Sequence, residues 1–134
     1  MILINSQFQN KDILIDMSLV SAPIYNYPNA LKHIIIIIIE NAADILIERN
    51  IKNAKIIISL YKDENEYRLE IWDNAGGVKI DTIENIFEMY KSYKKIKGLG
   101  LGLALAKDLS NFLGTKIKVQ NRDKGACFTL NIPI

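Results

Sequence analysis

The order of apolar segments predicts an α+β fold, a two-layer sandwich in which a mixed, mainly antiparallel sheet carries helices on one face. Short segments that alternate apolar and polar residues predict strands, and longer segments with helical spacing predict helices. Strands twice follow one another with no helix between them, which favours antiparallel pairing. The 134 residues, 49% of them hydrophobic, suit one core. We therefore expect residues 1–134 to form a single domain.

The first predicted strand covers residues 12–17, "DILIDM", and the first helix runs from Asn29 to about Arg49. The six isoleucines at 34–39 have strand propensity. Helix is favoured because Pro28 supplies a start signal and "ENAADILIER" continues with helix formers. With an isoleucine on every side, this helix is predicted to be buried nearly all round.

The remaining elements follow from alternation and turn residues. The segments "AKIIISLYKD" and "EYRLEIWD" predict a hairpin, and a short helix is expected over residues 81–87, before the basic stretch "KSYKKIK". A further helix should run from about Leu101 to Phe112 and end at Gly114. The segments "TKIKVQN" and "GACFTLNI" then predict a closing hairpin around "RDK".

Charge and cysteine content exclude several classes of protein. Seventeen Lys and Arg against fifteen Asp and Glu leave a net charge of +2, too small for a nucleic-acid or membrane footprint. Cys127 is the only cysteine, which excludes an internal disulfide and favours a reducing cytoplasmic location. The longest apolar run, residues 34–39, is far short of the roughly 20 residues that span a bilayer. We expect no contact of this domain with nucleic acid or membrane.

Two polar residues in apolar surroundings are candidates for a site. Asn41 lies within the isoleucine-rich helix, where its amide must either bond to the core or coordinate something in a cavity. Asp73 ends a predicted strand and precedes "NAGG", which can be a plain turn. Alternatively, its carboxylate accepts a hydrogen bond from an exocyclic amine while Gly76 and Gly77 let a flat ring lie against the backbone.

The segment "GLGLGLALAK", residues 98–107, has three glycines at alternate positions before a helix. It lacks the GxxxxGK(S/T) pattern of a P-loop, and Leu103 stands where the third glycine of GxGxxG would be required. Two interpretations remain. The segment is either a phosphate-binding loop at a helix N-terminus, with Lys94 and its neighbouring lysines adding charge, or a solvated basic loop with a glycine hinge. Phe87, Tyr90 and Tyr93 border this loop and could cover a base or pack in the core.

Taken in order, "ENAADIL", "DNAGGV", "IFEMY" and "GLGLGLALAK" resemble the N, G1, F and G2 boxes of bacterial sensor histidine kinases. These boxes form the ATP-binding catalytic domain of a superfamily that includes gyrase B, Hsp90 and MutL. The corresponding ranges here are 40–46, 73–78, 86–97 with the lid, and 98–103. The resemblance implies a Bergerat-type ATP-binding fold with ATP and Mg²⁺ as cofactors.

The resemblance also implies roles for matching residues. Asn41 would hold Mg²⁺, Asp73 would accept the adenine amino group, and Gly77 would give the base room. The three glycines of the G2 box would hinge the lid and offer N–H groups to the phosphates, and Lys94 would add charge. The implied ATP-binding residues are Asn41, Asp73, Gly77, Lys94, Gly98, Gly100 and Gly102, with Phe87, Tyr90 and Tyr93 in the lid.

Several positions depart from the family pattern. Ile37 stands where histidine kinases commonly have Asn and the related ATPases and serine kinases have a Glu that acts as base. Ala75 replaces the first glycine of DxGxG, and Leu99 replaces a small or hydroxylated residue. Met89 and Lys91 replace Pro and Phe of the F box. We therefore expect no internal general base and no autophosphorylation by this domain alone.

The function implied is that of the catalytic domain of a two-component histidine kinase. It would position ATP for γ-phosphoryl transfer to a histidine on a separate dimerisation domain that we expect to be absent from this chain. A response regulator would be an indirect partner, and the parent kinase could be membrane-anchored. His33 is not assigned as the phosphoacceptor. The alternatives are a free-standing anti-sigma-factor-type serine kinase and a degenerate module that binds nucleotide or protein.

Overall fold

The computed structural model describes residues 13–19, 28–78 and 102–133, which form one five-stranded sheet and two helices. The strand order is β1-β2-β3-β5-β4, with β1 parallel to β2 and every other pair antiparallel. This confirms the predicted α+β fold with a mixed, mainly antiparallel sheet. The predicted helix at 81–87 and the basic stretch after it lie outside the described residues. The elements are β1 (Leu14–Leu19), α1 (Pro28–Glu48), β2 (Lys55–Asp63), β3 (Glu66–Asp73), α2 (Gly102–Phe112), β4 (Ile117–Arg122) and β5 (Gly125–Pro133).

Strand β1 lies two residues further along the chain than predicted. It pairs with β2 from Leu14 opposite Lys55 to Leu19 opposite Leu60. The apolar alternation of residues 12–17 indicated a strand but not its ends, because the length of a strand depends on where its neighbour supplies partners.

Helix α1 contains all six isoleucines, so the helical interpretation is confirmed. The prediction that it is buried nearly all round is wrong, because Ile36 is 45% and Ile47 is 42% exposed. These two residues share a stripe with Glu40 and Asp44, both exposed, at spacings of three and four residues. The helix therefore has one solvent-facing stripe, although most of its surface packs in the core.

The core lies between the sheet and the helices. One face of the sheet is apolar, and its residues pair across the strands, with Ile58 opposite Ile71 and Ile71 opposite Phe128. Asp73 lies on this same face, since it is two residues beyond Ile71 in the same strand. The pairing thus places a carboxylate at the end of β3, at the margin of the core. In the described part of the chain, neither helix combines the length and the apolar character needed to cross a bilayer.

Candidate functional site

Asp73 is a buried carboxylate at the end of β3, with only 4% of its surface exposed. The backbone N–H of Ala75 donates a hydrogen bond of 3.0 Å to its Oδ1 atom. Burial raises the pKa of Asp73 above its ordinary value, while backbone hydrogen bonds from Ala75 and Ala126 and the positive charge of Arg49 oppose that rise. A buried acid with a raised pKa lowers stability at neutral pH, and such groups are concentrated at functional sites.

The loop that follows Asp73 has a backbone that glycine favours. Gly76 and Gly77 have φ angles of 101° and 91°, in the left-handed region. Ala75, which replaces a glycine of the family pattern, has no positive φ and is therefore unstrained there. The N–H of Gly76 donates to the carbonyl of Lys124 in the β4–β5 turn, at 2.9 Å. We call residues 74–78 the Asp73 loop.

Arg49 binds the Asp73 loop from the end of α1. Its Nη1 atom donates to the carbonyl of Ala75 at 2.8 Å and to the carbonyl of Gly77 at 2.9 Å. Because a guanidinium is positively charged, these are charge-assisted hydrogen bonds. The sequence contained one indication of the position of Arg49, because Ala42, Ile45 and Arg49 follow one another at helical spacing. Its contact with the loop was not predicted.

Asn121 binds the same loop from β4. Its Oδ1 accepts a hydrogen bond of 2.7 Å from the N–H of Val78, and its Nδ2 donates to the carbonyl of Val78 at 3.1 Å. A Cβ atom on Gly77 would lie 2.8 Å from Asn121 Oδ1. The lack of a side chain at Gly77 is therefore required by Asn121 as well as by its φ angle. Nothing in the sequence pointed to Asn121.

Helix α1, which contains Asn41, leads from the start of α2 to the Asp73 loop. Ile37 is buried, and its Cγ2 atom would lie 3.2 Å from a Cβ at Gly102, the first residue of α2. Asn41, 5% exposed, is one turn beyond Ile37 and two turns before Arg49. Asn41 therefore lies on α1 between Ile37, which packs near Gly102, and Arg49, which contacts the Asp73 loop.

The predicted lid and residues 98–101 of the glycine-rich segment lie outside the described residues, so their roles stay predictions. Within the described ranges, no group of three His, Cys, Asp or Glu side chains is placed to hold a metal ion. The predicted site residues that lie outside the described ranges are Phe87, Tyr90, Tyr93, Lys94, Gly98 and Gly100.

Comparison with known proteins gives the same assignment as the four boxes. The family model described as histidine kinase-, DNA gyrase B- and HSP90-like ATPase matches residues 26–134. The sensor protein CitS of Halalkalibacterium halodurans is 38% identical over 97 residues, which cover 72% of this chain and 18% of CitS. The sensor protein KdpD of Clostridium acetobutylicum is 31% identical over 109 residues, covering 77% of this chain and 12% of KdpD. The chain thus spans less than a fifth of these relatives.

Solved structures share the fold. The catalytic domain of histidine kinase ThkA superposes with a TM-score of 0.78 at 24% identity, covering 96% of this chain and 83% of that one. Histidine kinase AdeS of Acinetobacter baumannii gives a TM-score of 0.74 at 22% identity, covering 96% of this chain and 57% of AdeS. These structures show the shared fold. The family match over residues 26–134 and the sequence similarity to CitS show that the chain belongs to the histidine kinase-, DNA gyrase B- and HSP90-like ATPase family, as an ATP-binding catalytic domain of the sensor histidine kinase type.

Proposed function

We propose that this domain binds ATP with Mg²⁺ and, within a longer kinase, positions the γ-phosphoryl group for transfer to a histidine on a separate domain. The observation that carries the proposal is the buried Asp73 carboxylate, held by the Ala75 N–H beside two glycines with positive φ. A carboxylate in that setting accepts a hydrogen bond from an exocyclic amino group, and the exposed bare backbone of Gly76 offers a flat surface for a ring.

Asn41 is suited to the phosphate end of the site. Its amide oxygen is a hard ligand of the kind that Mg²⁺ binds, and Mg²⁺ commonly takes few protein ligands while keeping phosphate oxygens and waters. Helix α2 begins at Gly102, close to Ile37, one turn from Asn41 on α1. The unpaired N–H groups and positive dipole end of a helix N-terminus favour phosphate. Bound Mg²⁺ would supply the charge that neutralises the phosphate oxygens.

Ile37 stands at the position where related ATPases and serine kinases have a general base, so this domain supplies no base there. A side chain four residues before Asn41 is directed to the start of α2, and here that side chain is apolar and accepts no proton. The domain therefore contributes positioning and charge neutralisation, which are the main sources of rate enhancement in phosphoryl transfer. The same residue counts against the serine-kinase alternative, which needs a base at this position.

Helix α2 also offers a surface to the domain that carries the histidine. Leu105 is 42% and Phe112 is 63% exposed, and their spacing of seven residues places them on one side of the helix. Because α2 begins at the proposed phosphate end, a partner bound to this side lies near the γ-phosphate. The parent kinase would then pass the phosphoryl group to a response regulator, and the domain would face the cytoplasm, where ATP is available.

Calorimetric titration of the purified chain with ATP, with and without Mg²⁺, tests the proposal. We expect saturable binding that strengthens with Mg²⁺, and no transfer of labelled γ-phosphate to this chain alone. A folded protein that binds ATP in neither condition would refute the proposal and favour a module that binds only protein partners.

A further inference from the structure

We propose that Arg49 and Asn121 are positioning residues of the nucleotide site, which hold the Asp73 loop in its binding shape before nucleotide arrives and thereby set the selectivity for adenine. The inference rests on the proposed function, because it concerns the same site. It assigns roles to two residues that belong to none of the four boxes.

Arg49 holds the two carbonyl groups on either side of Gly76. One nitrogen of its guanidinium bridges the carbonyls of Ala75 and Gly77 at 2.8 and 2.9 Å, drawing them toward the end of α1. Left-handed backbone at Gly76 and Gly77 is one of several conformations open to glycine, and the bridge selects it.

Asn121 holds the far end of the Asp73 loop. Its amide group pairs with both the N–H and the carbonyl of Val78, as a neighbouring strand would. It also occupies the space in which a side chain on Gly77 would lie. The loop is thus attached to α1 on one side and to β4 on the other.

Ala75 connects the Arg49 bridge to the carboxylate. Its N–H donates to Asp73 Oδ1, while its carbonyl accepts from Arg49. If the Arg49 bridge is lost, Ala75 can move away from Asp73, and the carboxylate then loses a donor that directs it. A fixed carboxylate accepts the amino group of adenine and repels the carbonyl oxygen that guanine has in the same place. A carboxylate that is free to move discriminates less between adenine and guanine.

The test compares ATP and GTP affinity in Arg49→Met, Arg49→Lys and Asn121→Ala, together with amide hydrogen exchange of the nucleotide-free proteins. Arg49→Met should raise the ATP dissociation constant about tenfold or more and lower the ATP:GTP preference, because two charge-assisted hydrogen bonds are lost. Arg49→Lys should restore part of both. The amides of Ala75 and Val78 should exchange faster in Arg49→Met and Asn121→Ala respectively.

Matched controls separate positioning from general stability. Arg68→Met removes an arginine that pairs with Asp63 at the β2–β3 turn, and Asn111→Ala removes an exposed amide of α2. Both should keep the wild-type ATP:GTP preference. If Arg49→Met is less stable but keeps that preference and its loop protection, the role of Arg49 is structural only and the inference fails. Should Arg49→Met not fold, Arg49→Lys and Asn121→Ala carry the same comparison.

Failure of the proposed function gives a different result. In that case the wild-type protein binds neither nucleotide, while exchange of the Ala75 and Val78 amides in the nucleotide-free variants still reports whether Arg49 and Asn121 hold the loop. Unchanged exchange overturns the inference whatever the wild type binds. Faster exchange together with unchanged ATP:GTP preference overturns its selectivity claim.

Discussion

Gly125 lies directly against the backbone of Asp73, so that a Cβ atom on Gly125 would overlap the Asp73 carbonyl oxygen. The same Cβ would lie 2.9 Å from the indole nitrogen of Trp72, which donates to the carbonyl of Arg122. The first residue of β5 therefore packs against the backbone of the residue on which the proposed adenine contact depends.

We expect Gly125→Ala to lower the free energy of unfolding by roughly 3 kcal/mol or more, because backbone atoms of β3 or β5 must move apart. Urea unfolding followed by circular dichroism measures the change. Gly114→Asn is the control. Gly114 has φ +74° with nothing within 4 Å of its Cβ position, and Asn tolerates that backbone, so the cost should stay within about 1 kcal/mol. Equal stabilities for the two variants would contradict this account of Gly125.

Asp73→Asn should weaken ATP binding at least about tenfold, because an amide in place of the carboxylate loses a charge-assisted hydrogen bond to the adenine amino group. Calorimetry measures the affinity, and circular dichroism checks the fold. Asp108→Asn, an exposed change on α2, is the matched control and should bind as the wild type does. ATP binding that is unchanged in Asp73→Asn would remove Asp73 from the site.

Asn41→Asp should alter ATP affinity in Mg²⁺ more than in EDTA, because a charged ligand changes the metal's environment whereas the adenine contact is elsewhere. Paired titrations in the two buffers measure the difference. Asn111→Asp, which adds the same charge on the surface of α2, should change neither titration. Equal effects of Asn41→Asp in Mg²⁺ and in EDTA would count against a metal role for Asn41.

The raised pKa of Asp73 predicts how stability depends on pH. Between the ordinary value of 3.8 and the higher folded value, the folded state binds more protons than the unfolded state, so stability falls as pH rises through that window. Asp73→Asn lacks this fall. The stability of the variant relative to the wild type should therefore increase as pH rises above about 3.8 and then level off. Urea titrations at several pH values measure it, and a constant difference would show that the pKa is not raised.

Cys127 should be inert toward thiol reagents in the folded protein. Its surface is fully buried, and burial raises the pKa of its thiol although the charge of Arg122 partly opposes the rise. Because the thiolate is the reactive form, the burial of the sulfur atom and the raised pKa of the thiol both slow modification at neutral pH. We expect one equivalent of an aromatic disulfide reagent to react only after denaturant is added. Rapid reaction under native conditions would show that β5 opens readily.

The parts of the fold that the sequence predicted depend on local patterns. The two hairpins and the helical state of the isoleucine run followed from alternation, turn residues and Pro28. The exposure of Ile36 was missed, because the burial of a helix depends on how many neighbours pack around it. Arg49 and Asn121 were missed for a related reason. Their partners in the Asp73 loop are 26 to 43 residues away, and no spacing rule connects them.

The separation of those partners along the chain has a consequence for synthesis. A growing chain that ends after β3 already contains Arg49 and Asp73. It lacks Asn121 and the Lys124 carbonyl that accepts a hydrogen bond from the Gly76 N–H. Closure of such long-range contacts comes late in folding because it costs the most chain entropy. Nucleotide would then bind only after the final hairpin has docked, and each binding event would add to stability by mass action. Cellular ATP would thus favour completed domains over partly made ones.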